Sequence, residues 1–132
     1  MVEATILAVD DEPRLLRLVN EVLTAVGYRV VTANNGESAL EVVALEQPDL
    51  ILLDIRLPHG IDGYQVCRRV REFSDVPVIM LTAREQRENL KSVIEHKGKF
   101  YDYVVKPFVV RDLLGTIRRA LADAAKKEQN GD

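Results

Sequence analysis

Leu50-Ile51-Leu52-Leu53-Asp54 is an unbroken apolar run that stops on a carboxylate and is followed by Ile55-Arg56-Leu57-Pro58. Without polar alternation such a run reads as a strand covered on both faces, the usual state of a central strand in a parallel sheet. Asp54 then stands where the strand leaves the sheet. In open α/β sheets ligands bind at that carboxyl edge, so an acid there is placed for chemistry rather than packing. Three other apolar runs end the same way: Ile6 to Val9 on Asp10 and Asp11, Val78 to Leu81 on Thr82, and Tyr103 to Val105 on Lys106. As neighbouring parallel strands, these runs bring three carboxylates, a hydroxyl and an ammonium to one edge.

Outward from that run, strands and helices alternate. Thr5 to Val9 is the first strand, and Pro13 beyond it suits the first turn of a helix, where its missing N–H costs nothing. Leu15, Leu18, Val19, Val22 and Val26 recur at helical spacing up to Gly27, a C-terminal capping residue. Tyr28 to Thr32 is a second strand, short and carrying Arg29, which places it at the sheet edge. Gly36 to Glu46 is a second helix with Leu40, Val43 and Ala44 inward, ended by Pro48. After the Asp49 to Leu53 strand, Asp62 and Gln65 form a capping-box pattern for a third helix whose buried stripe is Val66, Cys67 and Val70. Pro77 begins the fourth strand, where proline need not donate to the ladder. Glu85 to Lys97 has helical propensity but only Leu90, Val93 and Ile94 to bury, so it is expected to be the least firmly held helix. Phe100 to Val105 contains the fifth strand. Val110, Leu113, Leu114, Ile117 and Leu121 give the last helix its inward face. Residues 1–125 thus read as one folded unit and 126–132 as a polar, frayed tail. The expected fold is a doubly wound α/β sandwich on a five-stranded parallel sheet of order 2-1-3-4-5.

Composition narrows the function. The chain has 132 residues, the size of one domain. Its 18 basic residues are outnumbered by 21 acidic ones, which leaves no electrostatic footprint for direct nucleic acid binding. No apolar run approaches the length of a membrane span or signal peptide. Cys67 has no second cysteine to pair with, which points to a reducing, cytoplasmic compartment.

At the carboxyl edge, Asp10 and Asp11 taken alone suit helix capping as well as catalysis. Grouped with Asp54 they repel one another, and a cation or raised pKa values must resolve the conflict. A hard, oxygen-seeking ion such as Mg²⁺ is the natural answer. A lone lysine more often snorkels at the surface, but Lys106 ends a strand and precedes Pro107. There its ammonium can neutralise a phosphoryl group for which Asp54 is a competent nucleophile. Thr82 can cap the following segment or donate a hydrogen bond to the same group.

Val9-Asp10-Asp11-Glu12, Leu53-Asp54 with Leu57-Pro58 and Asp62-Gly63, Leu81-Thr82-Ala83 and Lys106-Pro107-Phe108 together resemble the receiver domain of two-component response regulators. The resemblance covers essentially the whole chain and implies a flavodoxin-like fold and a signalling domain rather than an enzyme acting on a separate substrate. It implies that Asp54 accepts a phosphoryl group from a histidine kinase or phosphotransfer protein. Asp10 and Asp11 would organise Mg²⁺ with Asp54 and the backbone carbonyl of Arg56, and Lys106 would pair with phosphoryl oxygens. Thr82 would report the phosphoryl group, with Tyr103 at the family's aromatic switch position, although an aromatic on an edge strand is also ordinary packing. Pro107 matches a proline that the family holds in a cis peptide. Arg56 and Arg84 stand where receivers flank the path of water to the aspartyl phosphate, so they are candidates for setting its lifetime. The surface of the fourth helix, fifth strand and fifth helix would act on a downstream effector or output domain, or on a second copy of the chain.

Some positions depart from the pattern. Between Pro58 and Asp62 stand three residues where the family usually has two. The stretch from Thr82 to Lys106 is slightly long, and Gly98-Lys99-Phe100-Tyr101 replaces a more usual Gly-Ala-Asp-Asp. Thr116 stands where the winged-helix branch has an arginine in its dimer face, so that dimer is not carried over. Among alternatives, a flavodoxin-like nucleotide binder needs a phosphate-cradling loop after the first strand, and Asp10-Asp11-Glu12 is its electrostatic opposite. Aspartate-nucleophile phosphatases resemble Asp-x-Asp pairs, whereas Asp54-Ile55-Arg56 lacks the second acid. A structural module that has lost phosphorylation would not need all five matched residues.

Overall fold

A computed structural model describes residues 3–83 and 100–130. Five strands, β1 (Thr5–Val9), β2 (Arg29–Ala33), β3 (Leu50–Asp54), β4 (Val78–Ala83) and β5 (Asp102–Lys106), form one parallel sheet in the order β2-β1-β3-β4-β5. The described helices are α1 (Pro13–Ala25), α2 (Gly36–Glu46), α3 (Gly63–Arg71) and α4 (Val110–Asn130). The helix expected over Glu85 to Lys97, together with Arg84, lies outside the described residues.

Alternation along β3 explains its unbroken apolar run. Leu50 and Leu52 pack with Val19 and Leu23 of α1 and Leu113 and Ile117 of α4. Ile51 and Leu53 pack on the other face with Val43 of α2 and Val66, Cys67 and Val70 of α3. All four of these β3 side chains have 0% exposure, so both faces are dry. Burial of this kind is worth roughly 1.5–3 kcal/mol per large aliphatic side chain, which makes the strand a rigid platform for whatever ends it. β2 is an edge strand, and Arg29 lies at its exposed start, 3.2 Å from Glu46.

Local signals set the element ends. Gly27 follows α1 with φ of +103°, a conformation that glycine adopts without strain. Asp62 accepts from the Gln65 backbone N–H at 2.9 Å while the Gln65 side chain accepts from the Asp62 N–H at 2.8 Å, completing the capping box of α3. Asn35 caps α2 by accepting from the Ser38 N–H.

The helix faces differ from expectation in places. Leu18 and Val26 of the α1 region are 44% and 53% exposed, while Leu23 is fully buried. Several neighbouring apolar residues compete for one narrow stripe there, and the turn from Val19 to Leu23 wins it. Ala44 is exposed and Ala39 takes its inward place beside Val43, and Val110 is 38% exposed at the start of α4. α4 also continues through residues 126–130, which polarity alone assigned to a frayed tail. Those residues are good helix formers, and no glycine or proline interrupts them before Gly131.

Candidate phosphoryl-acceptor site

The ends of β1, β3 and β5 bring Asp10, Asp54 and Lys106 together. The register pairs Val9 with Leu53 and Asp54 with Leu81, so the chain leaves all these strands at one level. Asp10 and Asp54 are only 1% and 4% exposed, whereas Asp11 is exposed at the rim. Carboxylate oxygens of the three acids lie within 4.8 Å of one another. Lys106 Nζ donates to Asp10 Oδ2 at 3.0 Å and stands 3.6 Å from Asp54 Oδ2. The Lys106–Pro107 peptide that follows is cis.

Each buried acid also receives a backbone N–H. Asp10 Oδ1 accepts from Glu12 at 2.9 Å, and Asp54 Oδ1 accepts from Arg56 at 3.1 Å. These bonds fix the rotamers and leave the Oδ2 atoms turned toward Lys106. One ammonium therefore serves two buried carboxylates. Burial, with the charge of Asp10 added, pushes Asp54 from 3.8 up to about 6, against the smaller pull of Lys106 and the Arg56 N–H. Burial pulls Lys106 down, but its hydrogen bond to Asp10 and the two carboxylate charges outweigh this and hold it above its ordinary value. The two shifts differ in origin. Lys106 has two anionic neighbours, while Asp54 must share one cation with a closer competitor.

The chemistry of this donor set fits a divalent ion. Among the described residues, three carboxylates supply hard oxygen ligands and the ion pairs to them come from Lys106, which leaves negative charge in excess. A cleft of about 340 Å³ opens over Asp54, lined by Asp11, Asp54, Arg56, Leu57, Pro58, Ala83 and Lys106. The sequence-predicted Thr82 is not in this lining. Alternation along β4 puts Leu81 on the α1/α4 side and Met80 on the other, so Thr82 falls on the Met80 face of the sheet while Ala83 lines the cleft. Thr82 has 0% exposure and its hydroxyl lies 3.5 Å from the Ala83 carbonyl oxygen. Tyr103, 36% exposed, stands on edge strand β5 in register with Met80. Arg56 is exposed at the cleft mouth. Sequence reasoning missed Leu57, Pro58 and Ala83 as cleft walls; their proximity to Asp54 and Thr82 in the chain was the available signal.

Comparison with known proteins agrees with this geometry. Residues 6–118 match the family model described as the response regulator receiver domain. A Porphyra purpurea protein named "Probable transcriptional regulator ycf27" is 44% identical over 125 residues, covering 95% of this chain and 50% of the relative. The transcriptional regulatory protein AfsQ1 of Streptomyces coelicolor is 40% identical over 117 residues, covering 89% of this chain and 51% of that protein. The chain thus spans about half the length of the curated relatives it matches. Among solved structures, the BeF₃-activated N-terminal receiver domain of Klebsiella pneumoniae RstA superposes with a TM-score of 0.80 at 35% identity, covering 89% of this chain and 97% of that one.

Proposed function

This chain belongs to the response regulator receiver domain family, and we propose that it works as a phosphorylation-operated switch with Asp54 as the phosphoryl acceptor. The observation that carries the proposal is the meeting of three carboxylates within 4.8 Å beside Lys106 at the end of the central strand. With its carboxyl at about 6, Asp54 is still largely ionised at neutral pH and able to attack. One carboxylate oxygen bonds to the phosphorus of a phosphohistidine on a kinase or phosphotransfer protein. The P–N bond breaks and its electron pair returns to the imidazole. Asp10, Asp11, Asp54 and the backbone carbonyl of Arg56 would hold Mg²⁺, which supplies positive charge that offsets repulsion between the acids and the incoming phosphoryl group. Lys106 is already within reach of Asp54 and would pair with a phosphoryl oxygen.

In this reading, Thr82 and Tyr103 carry the signal. The Thr82 hydroxyl lies 3.5 Å from the Ala83 carbonyl oxygen, so a hydroxyl that turns toward a phosphoryl oxygen would favour a different arrangement of the β4 end. The surface of the segment before β5, β5 itself and α4 would then act on an effector or output domain in the cytoplasm, or on a second copy of the chain. The curated relatives are named transcriptional regulators and are about twice as long, which fits an output portion beyond the receiver. Arg56 and Arg84 would set the lifetime of the phosphorylated state. Hydrogen exchange with Mg²⁺, with and without beryllofluoride, tests the switch. Exchange should change most between Thr82 and Tyr103; a change confined to Asp10 to Arg14 would contradict it.

A further inference from the structure

The loop between β3 and α3 forms the outer wall of the acceptor cleft and leans on a helix outside the site. Leu57, 6% exposed, anchors its start, and the capping box at Asp62 anchors its end. Between them Pro58, His59 and Gly60 are exposed. This stretch rests on the first turn of α2. Glu37 Oε1 accepts from the Ile61 N–H at 3.2 Å, and the Glu37 carboxylate lies so close over Gly60 that a Cβ there would strike it. Gly36 leaves room for Ile61, since a Cβ on it would come within 2.9 Å of the Ile61 carbonyl oxygen. Pro58 lines both the acceptor cleft and the adjoining cleft that Glu37 borders.

We infer that Glu37 is a positioning residue for the wall over Asp54: its hydrogen bond to Ile61 holds the Pro58–Ile61 stretch, and with it the cleft-lining Pro58, in place and limits water's access to the phosphorylated carboxylate. This rests on the reading of Asp54 as acceptor. In the reaction it slows, a water oxygen bonds to phosphorus and the P–O bond to Asp54 breaks. That bond's electron pair returns to the carboxylate, and inorganic phosphate leaves with both of the water's protons. Loosening the wall admits water and leaves the attacked bond unchanged.

The test follows decay of the Asp54 phosphoryl adduct in the whole chain after labelling with acetyl phosphate and Mg²⁺. Glu37→Ala should shorten its half-life by about threefold, in keeping with loss of one partly exposed hydrogen bond. Glu37→Gln keeps the Oε1 acceptor and should decay like the parent. Gly60→Ala, which pushes the same contact apart from the loop side, should decay faster as well. In the unmodified protein, the Ile61 amide should exchange faster in Glu37→Ala than in Glu37→Gln. Parent-like decay in Glu37→Ala and Gly60→Ala would overturn the inference. So would equally fast decay in Glu37→Gln, because that assigns the effect to the acidic residue's support of the α2 N-terminus. An unmodified parent Asp54 would overturn the acceptor reading and this inference with it, whereas unchanged Ile61 exchange would overturn this inference and leave the acceptor reading standing.

Discussion

Asp54 is held in an environment that opposes its own charge. A carboxyl held at about 6 rather than 3.8 binds a proton more tightly in the folded chain than in the unfolded one. Its contribution to stability is therefore complete below about pH 4 and lost as pH rises through about 6. In metal-free protein, Asp54→Asn removes this cost while Lys106 keeps its nearer partner Asp10. The variant should be more stable than the parent at pH 7 by up to about 3 kcal/mol, with the difference vanishing below about pH 4. Urea unfolding at several pH values checks this; a parent that is the more stable at pH 7 would contradict it. Lifetime also belongs to single side chains. Arg56 stands at the cleft mouth, and a guanidinium there can bond phosphoryl oxygens and obstruct water. Arg84, two residues beyond Thr82 in the sequence, is proposed to do the same. Replacing both by alanine should speed loss of the phosphoryl group about tenfold, equivalent to about 1.4 kcal/mol of barrier. Unchanged or slower decay would show that they do not shield the site.

At the scale of elements, the position of Asp54 depends on how closely α3 approaches β3. The Gly63 N–H donates to the Ile55 carbonyl oxygen at 2.9 Å, and a Cβ on Gly63 would collide with the Asp54 carbonyl and meet the Ile55 Cα at 2.8 Å. Gly63→Ala must therefore push α3 away from the strand that carries Asp54. It should destabilise the chain by roughly 1–3 kcal/mol, as overpacking against backbone does, and lower the yield of Asp54 modification. Thermal unfolding and labelling yield together check this; a parent-like midpoint with parent-like yield would contradict it. Elements were legible in the sequence where one signal dominated. β3 announces itself because nothing polar interrupts it, and Asp62 with Gln65 marks the start of α3 by a reciprocal bond that depends on few other residues. Helix faces were less legible. Leu15, Leu16, Leu18, Val19, Val22 and Leu23 offer more apolar residues than one stripe can bury, and the choice among them is made by the sheet beneath. The face of the sheet on which Thr82 stands was less legible for a similar reason. A run of apolar residues shows where a strand ends, but the face of its last residue depends on which face the preceding ones cover.

For the molecule as a whole, strand order creates the site. Asp10, Asp54 and Lys106 are separated by 96 positions at their widest, yet the order β2-β1-β3-β4-β5 ends β1, β3 and β5 at one edge. Among the described residues, other side chains pack both faces of the sheet and those acids belong to neither cluster. Their burial strains the charge balance, and a divalent ion would relieve it and offset the charge of an incoming phosphoryl group. The most direct test is intact mass after treatment with acetyl phosphate. The parent chain should gain one phosphoryl group with Mg²⁺ and none once the ion is chelated, and Asp54→Asn should gain none under either condition. A phosphoryl adduct of undiminished yield on Asp54→Asn, or on the parent without a divalent ion, would contradict the account.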